Sequence, residues 1–245
     1  MIEQHLSIDT GEGEMATFVV RPESDEVQPV ILFLMDAPGK REELHDMARR
    51  IAATGYYVML PNLYYRDTPS FTIHREDPAS AKYMFQLMGN LSNAMVARDA
   101  AALLAHATAD PSADAQTVGT TGYCMSGPFA LWLAAEYPET VKAAASVHGV
   151  RLATDAHDSP HARASDITGE ILVLAAEFDD WVDRPHFDRI VTALNDAEVT
   201  HQSEWMEGVH HGFVFPQRPK YDKVAAERHW ELLHSMFDRT LKSRS

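Results

Sequence analysis

One stretch, Thr117 to Ala135, limits the folds open to this chain more than any other. It runs Thr-Val-Gly-Thr-Thr-Gly-Tyr-Cys-Met-Ser-Gly-Pro-Phe-Ala-Leu-Trp-Leu-Ala-Ala. The pattern predicts a short β-branched strand, a tight turn and an apolar helix. Cys124, the only cysteine, falls at the apex, with Gly122, Ser126 and Gly127 around it. Small residues at those spacings suit a nucleophile elbow, where a sharp strand-to-helix turn exposes one reactive side chain. The turn brings backbones close together, so bulky neighbours are excluded. The helix N-terminus faces the apex, and its partial positive charge favours a thiolate or a developing oxyanion there. A lone cysteine also serves as a small buried hydrophobe. The rest of the chain must therefore supply a base and an acid.

From residue 30 onward, predicted strands and helices alternate. Val30–Met35 and Tyr56–Leu60 are continuous apolar runs, as expected of parallel strands buried on both faces. Between them, Leu44, Met47, Ala48, Ile51 and Ala52 make one face of a helix over residues 41–54, closed by Gly55. Residues 2–8 and 15–21 read as a hairpin around Gly11 and Gly13. Residues 78–107 read as helix broken near Gly89-Asn90, and further strands are expected over 141–147, 171–176 and 198–206. Helices are expected over 185–196 and 221–241. This is the pattern of an α/β fold, a mostly parallel sheet covered on both faces. One domain over residues 1–245 is expected, because 45% hydrophobic content fills a core without disulfide or metal staples.

Charge narrows the partners. The formal net charge is −15, which argues against nucleic acid and anionic membranes. An anionic substrate then needs local cations. A single cysteine excludes a disulfide within one chain and suits a reducing compartment. Met1–Ser7 lacks the basic start and apolar run of a signal peptide, and no apolar run approaches the ~20 residues that span a bilayer. A soluble cytoplasmic protein, monomer or homodimer, is expected. Most of the 13 histidines are expected at the surface. His157 and His161 flank Pro160 and have no third ligand nearby, so they read as a solvated loop rather than a metal site. No metal or cofactor is expected.

Ligands bind at the carboxyl ends of strands in such sheets. The loops there offer Asp36, Cys124, Asp179 or Asp180, and His210 or His211. Asp36 reads equally well as a turn or helix cap. The order nucleophile, acid, histidine, with the nucleophile on an elbow, is the α/β-hydrolase arrangement.

Four segments carry a closer likeness: Gly122-Tyr-Cys-Met-Ser-Gly127, Pro61-Asn-Leu-Tyr64, Glu177-Phe-Asp-Asp-Trp-Val182 and His211-Gly-Phe213. The chain resembles the dienelactone hydrolase family over nearly its whole length. That resemblance selects Asp179 and His211 from the two pairs. It implies a Cys124–His211–Asp179 triad that hydrolyses an ester or lactone, such as dienelactone to maleylacetate, through a thioester. It also implies an oxyanion hole from the N–H groups of Met125 and Ala37, with Asp36, Tyr64, Phe213 and Phe215 as substrate or thiol contacts. Two departures stand out. Asp36 replaces the family's glutamate, which can hold the resting thiol. Phe215 replaces the family's carboxylate-binding arginine, leaving Arg218 or Lys82 to compensate. Ser126 replaces a glycine and offers a second nucleophile candidate, but in the first turn of the helix rather than at the apex. Other readings are a non-catalytic small-molecule binding or sensing protein on a hydrolase fold and a thiol redox protein, which lacks a resolving cysteine.

Overall fold

The computed structural model describes residues 1–242. The chain divides into two compact units, residues 1–115 and 116–245. In the first, β1 (Ile2–Asp9), β2 (Glu14–Arg21), β3 (Gln28–Leu34) and β4 (Tyr57–Pro61) lie in the order β1-β2-β4-β3. β1 and β2 form the expected hairpin, Ile2 opposite Arg21 through Asp9 opposite Glu14. β2 runs antiparallel to β4, while β3 and β4 are parallel. β3 and β4 are almost wholly buried, which is why they read as unbroken apolar runs.

Helix α1 (Glu42–Ala52) buries Leu44, Met47, Ala48, Ile51 and Ala52, the stripe expected from their spacing. Each large side chain so buried contributes about 1.5–3 kcal/mol. Glu43 is buried beside them, paired with Arg41. The predicted break in the following helical stretch is real. α2 (Pro78–Gly89) opens on Asp77, whose side chain accepts the Ala79 N–H, and α3 (Asn93–Ala109) opens on Ser92.

The second unit is a parallel array, β5-β6-β7-β8. Its strands are β5 (Ala113–Tyr123), β6 (Val141–Val147), β7 (Glu170–Phe178) and β8 (His201–His210). The helices are α4 (Gly127–Glu136), α5 (Arg184–Asp196) and α6 (Lys223–Leu241). α6 buries Ala225, Leu232, Leu233, Met236 and Phe237 as expected, together with His229 and Trp230.

Two strands differ from expectation. β5 begins at Ala113, ahead of Thr117, where the elbow strand is expected to start. β8 begins at His201 rather than 198 and ends at His210 rather than 206. Glu198 has φ 56° and Val199 N–H closes the end of α5 on the Leu194 carbonyl, so residues 198–200 belong to the turn. At the other end, pairing of Phe178 with His210 carries β8 past Met206. The histidines also differ from a mostly surface set. His148 and His229 are buried, and only His5, His74 and His157 are exposed.

Candidate active site

β5 ends at Tyr123, and Cys124–Ser126 form one tight 3-10 turn leading into α4. Cys124 has φ 56°, a left-handed conformation that costs an L-residue strain and is typical of functional turns. The local sequence explains how the turn closes. A Cβ on Gly122 would lie 2.1 Å from the Ser126 carbonyl oxygen, and one on Gly127 2.5 Å from the Gly149 Cα. Neither approach tolerates a side chain. Ser126 Oγ accepts the Tyr123 N–H at 2.8 Å and donates to the Tyr123 carbonyl at 3.1 Å. This buried hydroxyl therefore braces the turn. The Gly127 and Val150 N–H groups both donate to the Cys124 carbonyl.

The acid and the histidine come from the ends of β7 and β8. His211 Nδ1 lies 2.6 Å from Asp179 Oδ2, and the Asp179 side chain is 1% exposed. Asp179 Oδ1 accepts the Trp181 N–H at 2.8 Å, which fixes the carboxylate plane. Asp180 is exposed, and His210 packs its ring on Phe178. Of the two pairs left open by residue order, the structure thus brings together Asp179 and His211. His211 also hydrogen-bonds Cys124. Burial pulls the imidazole pKa down, but the bonds with Asp179 and Cys124 outweigh it and raise it to about 10.

Phe213 and Phe215 are fully buried, and both pack on His148. Arg218 lies over Phe215, 4.4 Å from the ring centroid, and its Nη1 would be 3.2 Å from a Cβ on Gly212. A guanidinium therefore sits beside the residue that follows His211. His157 is exposed and His161 Nδ1 bonds Ser159 Oγ at 2.9 Å.

Asp36, Ala37 and Tyr64 belong to the first unit. Asp36 is buried, and Arg41 bonds both of its oxygens. Burial lowers the Arg41 pKa, yet the Asp36 and Glu43 carboxylates outweigh it and raise it. Tyr64, also buried, donates its hydroxyl to the Ala37 carbonyl at 2.8 Å.

Residue-by-residue reading missed His148. Its ring centroid lies 4.6 Å from that of His211, and among the described residues neither of its nitrogens has a hydrogen-bond partner. Burial, then the cationic neighbours His211, Arg218 and His229, hold its pKa well below the usual histidine range. Its position at the carboxyl end of β6 was the available signal.

The sequence profile of the dienelactone hydrolase family matches residues 15–241. The chain belongs to the dienelactone hydrolase family. Among its relatives, a Synechocystis protein provisionally named carboxymethylenebutenolidase is 27% identical over 240 residues, covering 97% of this chain and 96% of the relative. The Rhodococcus opacus carboxymethylenebutenolidase is 27% identical over 243 residues, covering 97% and 85%. A Klebsiella pneumoniae structure, provisionally named a dienelactone hydrolase, superposes with a TM-score of 0.86 at 24% identity, covering 97% and 98%. The fold is accordingly the α/β-hydrolase fold, with eight strands, mostly parallel, and helices around them. Membership makes this dienelactone hydrolase family protein a hydrolase. Among the described residues no helix is long and apolar enough to cross a membrane.

Proposed function

We propose that this protein hydrolyses small esters or lactones with Cys124 as nucleophile, His211 as base and Asp179 as its orienting acid. One observation carries the reading: a single imidazole bonds both Asp179 and Cys124, and that cysteine sits on a left-handed elbow. A protonated His211 beside the sulfur favours attack as a thiolate. Cys124 Sγ adds to the carbonyl carbon, and the oxyanion is held by the Met125 N–H at the head of the α4 turn. His211 passes its proton to the leaving oxygen, leaving an acyl thioester. It then takes a proton from water, which cleaves the thioester and restores the thiol. Asp179 keeps the ring oriented and stabilises its charged form through both steps. A single cysteine fits the reducing environment of the cytoplasm.

Acid-quenched mass spectrometry tests the covalent step. During turnover of p-nitrophenyl acetate, an acetyl group should appear on the Cys124 peptide. Release of p-nitrophenol with no acyl group ever found on that peptide would refute the mechanism.

Arg218 makes a carboxylate-bearing lactone the favoured substrate class, because it places a cation next to the His211 loop in a chain of net charge −15. Arg218→Ala should raise KM for dienelactone about tenfold, the scale of one lost charge-assisted hydrogen bond. It should change KM for the neutral p-nitrophenyl acetate by less than about twofold. Equal effects on both substrates would remove Arg218 from carboxylate recognition.

A further inference from the structure

The chain leaves β6 on a strained path. His148 and Arg151 have φ of 39° and 57°, although neither is glycine. Such conformations persist only where the surroundings over-determine them. This segment bears on two members of the candidate triad. The His148 ring packs on His211, with centroids 4.6 Å apart, and the Val150 N–H donates to the Cys124 carbonyl at 3.0 Å.

At its far end the Leu152 carbonyl accepts from the His161 N–H and Ser159 Oγ, while the segment's own N–H groups there converge on a single acceptor. The N–H groups of Leu152 and Ala153 both donate to His186 Nε2, at 3.0 and 3.3 Å. Leu152 and Ala153 are buried, so their N–H groups need an acceptor. His186 is itself fixed, since its own N–H donates to Asp183 Oδ1 at 2.9 Å in the first turn of α5. A ring nitrogen that accepts two N–H groups carries no proton. The proton of the neutral ring is therefore on Nδ1.

We propose that His186 is a positioning residue: its Nε2 fastens the strained segment 148–153 that bears on Cys124 and His211. The inference rests on the hydrolase reading above. Protonation of Nε2 replaces the accepting lone pair with a third N–H facing two donors, so acid releases the strap. Four titratable or charged groups face His186. Arg189 comes from α5, Asp183 from its N-cap, His161 from the 3-10 segment Pro160–Asp166, and Asp179 from the β7–α5 connection. The strap itself carries Arg151, which is exposed. Burial lowers the His186 pKa, Arg189 and His161 lower it further, and the two aspartates oppose them. Release thus falls on the acid side of the ordinary histidine range.

The experiment compares wild type, His186→Ala and His186→Gln in p-nitrophenyl acetate hydrolysis from about pH 5 to about pH 8, the range in which histidine titrates. His186→Ala should lower kcat about tenfold or more with KM within about twofold, because small misplacement of reacting groups costs rate rather than binding. Glutamine places an amide oxygen near the same point, accepts both N–H groups and does not titrate. His186→Gln should recover kcat to within about threefold at neutral pH, and its activity relative to wild type should rise several-fold on acidification. Wild-type kcat in His186→Ala, a glutamine variant as impaired as alanine, or parallel pH profiles for wild type and His186→Gln would each overturn the proposal. If His186→Ala does not fold, the ratio of the glutamine variant to wild type across pH decides. Failure of the hydrolase reading shows separately, as ester turnover that survives Cys124→Ala. The strap is then read from the His211 Nδ1 proton resonance, expected to broaden in His186→Ala and not in His186→Gln. A sharp resonance in both overturns it.

Discussion

Cys124→Ala should abolish ester turnover, lowering kcat/KM at least ~10³-fold for p-nitrophenyl acetate and for dienelactone, since removal of a nucleophile leaves only binding and the oxyanion donors. The fold should survive. Alanine and cysteine are both L-residues with similar small side chains, so the positive φ at position 124 strains them alike. No neighbouring hydroxyl substitutes, because Ser126 Oγ is buried and bonded to both backbone groups of Tyr123. Release of p-nitrophenol followed by absorbance decides the matter, with thermal melting as the control for folding. Unchanged hydrolysis by the variant would exclude the cysteine mechanism. Tight binding of dienelactone to wild type with no product formed would instead favour the binding or sensing reading.

Asp179→Asn should lower kcat ~10²–10⁴-fold with little change in KM, the range for losing the group that orients a catalytic histidine. The asparagine keeps the shape but answers His211 Nδ1–H with a weaker, neutral acceptor or with its own N–H. The same change has a signature in stability. His211 is raised from 6.5 to about 10 in the folded protein, so its protonation stabilises the fold. That contribution is fully present below pH 6.5 and fades as pH rises through about 10. Between those limits wild-type melting temperatures should fall with pH, and the slope should flatten in Asp179→Asn. Equal slopes would mean that Asp179 does not hold the imidazolium.

Several features were legible in the sequence because short-range rules decide them. The elbow follows from glycines that no side chain can replace at Gly122 and Gly127. The stripe of α1 follows from helical period, and β6 runs from Val141 to Val147 as its apolar run predicted. Residue order left Asp179 and Asp180, and His210 and His211, undivided. The geometry separates them, because β8 extends to His210 through pairing with Phe178, and only the next residue turns toward Asp179. Strand ends depend on what lies alongside, so β5 and β8 were misjudged where local composition was neutral. The partners of buried polar groups were hidden for the same reason. Nothing near Asp36 in composition pointed to Arg41, and nothing in the Pro185-His186 dipeptide pointed to two backbone N–H groups 33 and 34 residues away.

The single thiol carries a practical meaning of its own. Cys124 is partly accessible and is the only sulfhydryl in the sequence. A thiol-selective electrophile therefore reports on one atom without background from a second thiol. Label incorporated per chain counts the competent molecules in a preparation. The rate of incorporation reports the reactivity of that one sulfur beside His211, with no substrate required.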